Sequence, residues 1–208
     1  MRTAAVVLAA GKSSRMGVNK LLLEVEGKTV LDRLLESLTQ AVDEVVVVIG
    51  YNPDPITKIA KAHDVLVAYN PDHEKGMTTS FQAGLRVVKG ADVVFLVLGD
   101  QLGIRHEFLK RMLAALEDLP GALIVSPTYK GRRGHPVLFN AQLFDEILSH
   151  KGTLKEVVDG HADAHGSVEG DEWSTIDFDA PNDFDRAKRL FNKKNLSLIF
   201  RGLPHHRC

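Results

Sequence analysis

The chain has 208 residues, of which 44% are hydrophobic and 25% charged, ordinary values that suit one globular domain of about 150 residues or more. The formal net charge of −1 gives no overall field for binding nucleic acid or an anionic membrane, and no apolar stretch approaches the roughly 18 residues that span a bilayer. The single cysteine, Cys208, excludes an intrachain disulfide and favours a reducing, cytoplasmic location.

Apolar runs of strand length alternate with segments of helical period, which is typical of a largely parallel sheet with crossover helices. Near-continuous Val, Leu and Ile content predicts strands that are buried on both faces. We expect these strands at Ala4–Ala9, Glu44–Ile49, Val65–Ala68, Val93–Leu98 and Ala122–Ser126. Leucine-rich segments between them predict helices over Val30–Leu38 and Phe108–Leu116.

After Gly121 the pattern loosens, and we expect this half to cover one edge of the sheet. It predicts short strands at Pro136–Phe139 and Ser174–Phe178. It predicts helices at Gln142–Leu148, Leu154–Val158 and from Asn182. Residues 1–192 are therefore interpreted as one domain, and residues 193–208 as a C-terminal tail.

A Gly- and Ser-rich loop follows the first strand and ends at a lysine; it reads Leu8-Ala9-Ala10-Gly11-Lys12-Ser13-Ser14-Arg15-Met16-Gly17-Val18-Asn19-Lys20. Glycines let backbone N–H groups approach an anion, and Arg15 and Lys20 supply charges that suit a triphosphate. The loop is not a Walker A motif, because five residues separate Gly11 from Gly17 and Val18 follows. It is not G-x-G-x-x-G either, so it predicts a different phosphate site, with a solvated basic loop as the alternative.

Carboxylates at strand ends suggest a metal site. Asp100 follows Val93–Leu98 and one glycine, which aims it at the crevice of the phosphate loop. Mg²⁺ takes one or two protein carboxylates together with substrate phosphates, so it suits Asp100 and either Asp177 or Asp179. The alternatives are that Asp100 only caps a helix or closes a turn, and that Asp179 or, preferably, Asn182 only caps the last helix.

Four later segments are informative together with the phosphate loop: Gly76–Leu85, Leu98–Gln101, Gly131–Phe139 and Asp177–Asp183. In this order the five segments resemble those of the MobA-like nucleotidyltransferases, which include the molybdenum cofactor guanylyl- and cytidylyltransferases, and the matches reach from Ala4 to about Leu190. This resemblance implies a three-layer, Rossmann-like α/β nucleotidyltransferase domain. Its sheet would be mostly parallel but mixed, with helices on both faces.

The resemblance also implies roles for individual residues. Arg15, Lys20 and Asp100 would be catalytic, and Asp100 and Asp179 would bind Mg²⁺. Nucleotide or acceptor contacts are expected at Leu8, Ala9, Ala10, Gly11, Lys12, Ser13, Ser14, Gly76, Ser80, Gly134, His135 and Pro136. Beside His135, Arg132 and Arg133 could hold the acceptor's phosphate or form a solvated basic turn.

The segments Lys20–Leu23 and Gly76–Ser80 look closest to the cytidylyltransferase branch, so CTP is the favoured donor. The implied acceptor is a molybdopterin-type phosphate, with a molybdoenzyme as a further partner. Its phosphate would attack the α-phosphorus of the nucleotide and release pyrophosphate. The sequence departs from the family pattern in two places: Leu102 replaces the proline that usually follows the metal motif, and Lys151–Leu154 replaces a Gly-Asp-x-Gly stretch. The second departure concerns the acceptor. The alternatives are a GTP-dependent enzyme, a sugar- or polyol-phosphate nucleotidyltransferase, and a non-catalytic cofactor-binding accessory protein.

Overall fold

The computed structural model describes residues 1–13, 17–176 and 182–191. Its strands are β1 (Thr3–Leu8), β2 (Glu24–Val25), β3 (Lys28–Thr29), β4 (Glu44–Ile49), β5 (Leu66–Tyr69), β6 (Val93–Leu98), β7 (Ile124–Tyr129), β8 (Arg132–Arg133), β9 (Val137–Asn140) and β10 (His165–Glu169). Its α-helices are α1 (Val30–Leu38), α2 (Pro53–Ala62), α3 (Met77–Val87), α4 (His106–Asp118), α5 (Phe144–Ser149), α6 (Leu154–Gly160) and α7 (182–191). None of the described helices is long and apolar enough to cross a membrane.

Most of these strands form one mixed sheet, in the order β10-β7-β9-β6-β1-β4-β5, with β8 attached to β7. β1 pairs in parallel with β4 and β6, as do β4 with β5 and β7 with β10. β9 runs antiparallel to both β6 and β7. The mostly parallel, mixed sheet predicted from the sequence is therefore confirmed.

Helices cover both faces of this sheet. Ala5 and Val7 of β1 belong to the apolar cluster that holds the leucines of α1 and α4, such as Leu34. The alternate residues Ala4 and Val6 belong to a second cluster that holds α3, α5 and α6. Because successive side chains of a strand point to opposite faces, β1 is buried on both. The predicted three-layer architecture is confirmed.

The chain order of the strands places a crevice at the carboxyl ends of two central strands, β1 and β6. From β1 the chain builds β4 and β5 on one side, and it then returns to lay β6 on the other side of β1. Ligands bind at such switch points because the loops leaving the two strands diverge there. The crevice lies at the carboxyl ends of β1 and β6.

One predicted strand is wrong in its described part. Ser174–Phe178 was expected to be extended, but Glu172–Ser174 forms a 3₁₀ turn, and residues 177 and 178 lie outside the described ranges. The Asp171 side chain accepts a hydrogen bond from the Trp173 amide at 3.0 Å, a local bond that favours a turn over a strand. The edge strand is instead β10, whose alternation is too polar to be recognised in the sequence. The proposed tail, 193–208, also lies outside the described ranges, so the domain limits stay a prediction.

Candidate active site

The loop after β1, the end of β6 and the start of α3 enclose a cavity of about 500 Å³ at the switch point of the sheet. This volume lies in the range of small-molecule sites. The cavity is lined by Leu8, Ala9, Ala10, Gly11, Ser13, Lys20, Leu21, His73, Gly76, Met77, Ser80, Leu98, Gly99, Asp100 and His135. Most of the site residues expected from the sequence are among them.

The first part of the phosphate loop is fixed by the sheet. The Ala9 amide donates to the Val48 carbonyl at 2.9 Å, and the Tyr51 amide donates to the Ala10 carbonyl at 3.2 Å. Ala9 and Ala10 are only 3% and 5% exposed, so larger side chains would have to displace the end of β4. The loop therefore leaves the sheet from a defined position.

Lys20 and Asp100 meet inside the cavity. Asn19 caps a 3₁₀ turn, Lys20–Leu22, by accepting a hydrogen bond from the Leu21 amide at 3.1 Å. The ammonium of Lys20 forms an ion pair with the Asp100 carboxylate, and the two side chains are 20% and 12% exposed. Partial burial strengthens this attraction relative to a surface pair. The fold thus brings the expected phosphate-binding lysine and the expected metal-binding carboxylate together.

The Asp100 carboxylate caps no helix in the part of the chain that the structure describes. α4 begins after Arg105, whose side chain makes no capping hydrogen bond. The turn after β6 is closed by the backbone, because the Leu102 amide donates to the Asp100 carbonyl at 2.9 Å. A proline at position 102 could not make this bond. The Asp100 carboxylate therefore pairs with Lys20 and lines the cavity instead of capping a helix.

Gly99 allows β1 and β6 to approach each other beneath Asp100. Its amide donates to the Leu8 carbonyl at 3.0 Å, and a Cβ at this position would lie 2.8 Å from the same oxygen.

We expect Gly99→Ala to lower the free energy of unfolding by about 1–3 kcal/mol, since the strand ends must separate. Chemical denaturation measures this. Gly160→Ala, whose Cβ meets nothing within 4 Å, is the control and should not lower it. Equal stabilities would contradict the tight approach.

The start of α3 forms the opposite wall. Gly76 precedes the helix with φ 111°, a conformation that favours glycine. Asn70 donates from its amide nitrogen to the hydroxyl oxygens of Thr79 and Ser80, both at 3.0 Å. Ser80 is 4% exposed, and its hydroxyl donates to no group in the described ranges. Its proton is therefore available to a ligand in the cavity.

Two histidines also line the cavity. His135 was expected from the sequence, whereas His73 was missed, because a single histidine in a polar loop gives no periodic signal. The Nδ1 of His73 donates to the Asn70 carbonyl at 3.2 Å, since a carbonyl can only accept. Its ring packs so closely on Gly50 that a Cβ there would lie 2.6 Å from Cγ. The position of His73 right after β5 and before the Gly76 segment could have indicated it.

Three predicted residues do not line the cavity. The Lys12 ammonium turns outward to Glu74, 2.5 Å away. The hydrogen bond and charge of Glu74 raise the pKa of Lys12, and the same pair lowers the pKa of Glu74. Gly134 and Pro136 flank His135 without joining the wall. Nearby, Arg132 and Arg133 are exposed on β8 and also stay outside the cavity wall.

Ser14, Arg15, Asp177 and Asp179 lie outside the described ranges, so their expected roles stay predictions. Within those ranges no three His, Cys, Asp or Glu side chains cluster as a metal site. Asp100 is the carboxylate that the cavity wall offers there. One carboxylate fits an ion such as Mg²⁺ that completes its coordination with substrate phosphates and water. It does not fit a metal held by protein ligands alone.

A lysine–aspartate pair in a cavity at the switch point of a mixed three-layer sheet is typical of a nucleotide-binding α/β enzyme. The chain belongs to the MobA-like NTP transferase family, whose domain matches residues 5–165.

Comparison with individual proteins supports this assignment. The chain is similar to the molybdenum cofactor cytidylyltransferase of Escherichia coli, with 27% identity over 190 residues that cover 90% of this chain and 96% of that protein. It is also similar to a probable molybdenum cofactor guanylyltransferase of Methanosarcina acetivorans, with 33% identity over 111 residues, 50% of this chain and 49% of that one. Among solved structures, the manganese complex of Rv0371C from Mycobacterium tuberculosis has a TM-score of 0.76 at 24% identity, over 91% and 99% of the two chains. That likeness shows the fold.

Proposed function

We propose that this protein transfers CMP from CTP to the phosphate of a molybdopterin-type acceptor and releases pyrophosphate. The observation that carries the proposal is the meeting of Lys20 and Asp100 in a cavity formed by the phosphate loop. The similarity to a cytidylyltransferase named for the molybdenum cofactor supports the choice of donor and acceptor. The cysteine content favours a cytoplasmic setting.

In the proposed reaction an oxygen of the acceptor's phosphate forms a bond to the α-phosphorus of CTP. The bond from that phosphorus to the bridging oxygen breaks, and the electron pair leaves with pyrophosphate. A phosphate monoester has its second pKa near 6, so the nucleophile is already an anion at neutral pH and needs no general base. The task of the protein is to position the two phosphates and to balance their charge.

Individual residues would divide this task. Lys20 would leave Asp100 and bind the triphosphate, together with Arg15. Asp100, with Asp179 as the expected second ligand, would hold Mg²⁺, which when bound supplies positive charge to the phosphates. Ser80 would offer its hydroxyl proton to the base or ribose.

We expect CTP to bind more tightly than GTP, ATP or UTP in the presence of Mg²⁺, because the Lys20–Leu23 and Gly76–Ser80 segments look like those of cytidylyltransferases. Isothermal titration calorimetry with each nucleotide measures this. Pyrophosphate release in the presence of purified molybdenum cofactor then tests the acceptor. Tighter binding of GTP would place the protein with the guanylyltransferases, for which the Methanosarcina relative provides a precedent.

The remaining alternatives give other results in the same assays. Pyrophosphate release with a sugar or polyol phosphate, but not with the molybdenum cofactor, would show that the acceptor is a sugar or polyol phosphate. Binding of the cofactor without pyrophosphate release from any nucleotide would indicate a non-catalytic accessory protein.

A further inference from the structure

A second cavity, of about 330 Å³, lies between the start of α4 and the 3₁₀ turn Glu172–Ser174. Two arginines, Arg105 and Arg111, line it together with the rings of Phe108 and Trp173. Neither the phosphate loop nor the lysine–aspartate pair contributes to its wall. The reaction proposed above assigns it no role.

Two connections place this cavity beside the active site. The short segment from Asp100 to Arg105 begins in the wall of the first cavity and ends in the wall of the second. On the opposite side, the amide of His135, which lines the first cavity, donates to the carbonyl of Ser174 in the second at 2.8 Å. Two segments of the chain therefore contribute to both cavities.

The two arginines of the second cavity form no ion pair with a described residue. Arg105 is half-buried, and the Arg111 guanidinium lies over the ring of Phe108 at 5.1 Å. The two carboxylates in the wall are engaged elsewhere. The Glu107 carboxylate oxygen Oε1 lies 3.4 Å from Nε2 of His106, and the Asp171 carboxylate accepts a hydrogen bond from the Trp173 amide. The half-buried Arg105 guanidinium, beside the exposed Arg111 guanidinium on the Phe108 ring, is suited to bind an anion.

The aromatic part of the wall is held rigidly. Trp173 is 3% exposed and packs on Gly103 so tightly that a Cβ there would lie 1.8 Å from the indole. The turn that carries it is tied to α7 by an ion pair between Glu172 and Arg186 at 2.6 Å. A rigid apolar wall beside guanidinium planes suits a flat ring system that carries negative charge or carbonyl oxygens.

We propose that the second cavity is the acceptor subsite and that it holds the heterocyclic end of the acceptor while the acceptor's phosphate reaches Asp100. This inference rests on the proposed function and deepens it. Arg105 and Arg111 contact ring oxygens or acidic substituents of the heterocycle. The two arginines thereby determine which acceptors bind.

The protein contains its own probe of this site, because Trp173 is the single tryptophan in the chain. Titration with pterin-6-carboxylate, a stable flat anionic heterocycle, is expected to quench its fluorescence in a saturable manner, after correction with free N-acetyltryptophanamide. Arg105→Ala and Arg111→Ala should each weaken this binding about tenfold or more, as expected for loss of a charge-assisted hydrogen bond. Lys110→Ala removes a positive charge from the same helix outside the cavity and should leave binding unchanged.

Measurements of CTP binding and of CMP transfer to the molybdenum cofactor complete the test. Both arginine variants should keep wild-type affinity for CTP and show a raised KM for the acceptor, with a smaller change in kcat. Arg105→Lys, which keeps the charge, should recover part of the loss and controls for a folding defect. Absence of saturable quenching, or equal affinities in all variants, would overturn the subsite.

Failure of the proposed function has a different signature. A wild-type protein that binds the pterin through Arg105 and Arg111 but transfers no nucleotide to the molybdenum cofactor would refute the reaction and leave the heterocycle site standing. Normal transfer with unchanged acceptor KM in both arginine variants would refute the subsite and leave the reaction standing.

Discussion

Asp100→Asn is expected to reduce nucleotidyl transfer by at least about 100-fold, because a metal-held phosphate supplies several kcal/mol of transition-state stabilisation and each 1.36 kcal/mol is tenfold in rate. The substitution keeps the side-chain volume of a residue that is 9% exposed and lies outside the apolar clusters. The fold should therefore persist. Pyrophosphate release at increasing Mg²⁺ concentration measures the effect, and the variant should also require more metal.

Asp118→Asn is the matched control for this experiment. Asp118 ends α4, is exposed and makes no ion pair among the described residues, so its loss of charge should leave turnover unchanged. Cooperative unfolding of Asp100→Asn, followed by circular dichroism, separates a catalytic defect from a folding defect. A folded Asp100→Asn protein with wild-type turnover would show that this carboxylate holds no metal in the reaction.

Lys20→Met is expected to shift two affinities in opposite directions. Loss of a charge-assisted contact worth about 1.5–3 kcal/mol should weaken CTP binding by roughly 10- to 150-fold. Without nucleotide, however, the Lys20 ammonium occupies the Asp100 carboxylate and competes there with a divalent cation. Its removal should therefore tighten the binding of Mn²⁺ alone. Calorimetry with CTP and paramagnetic resonance with Mn²⁺ measure the two affinities separately.

Lys12→Met controls for a general loss of charge from the loop. Lys12 pairs with Glu74 outside the cavity wall. The affinities of Lys12→Met for CTP and for Mn²⁺ should therefore change by no more than the small free energy that a surface ion pair contributes. Weaker CTP binding in Lys20→Met without tighter Mn²⁺ binding would mean that Lys20 binds phosphate but does not compete with the metal ion for the Asp100 carboxylate. Unchanged CTP binding would contradict the role of the phosphate loop.

The sequence predicted the features that depend on local patterns. β4 and β6 have the bounds that their apolar runs predict, because strands buried on both faces need uninterrupted Val, Ile and Leu. The phosphate loop and Asp100 could be placed at one crevice, because the ends of neighbouring parallel strands share an edge of the sheet. The family resemblance extended this to Gly76, Ser80 and His135, all of which line the cavity.

Tertiary structure alone decided the features that depend on distant partners. The ion pair of Lys20 with Asp100 requires that β1 and β6 be neighbours in the sheet and that the turn at Lys20–Leu22 return to the end of β6, and no spacing in the sequence encodes it. His73 reaches the cavity because Gly50 leaves room for its ring. The turn at Glu172–Ser174 replaces a predicted strand because the Asp171 side chain bonds to the backbone of its own segment, and β10 takes the sheet edge instead. Local propensity is weak compared with such contacts, which only the folded chain brings together.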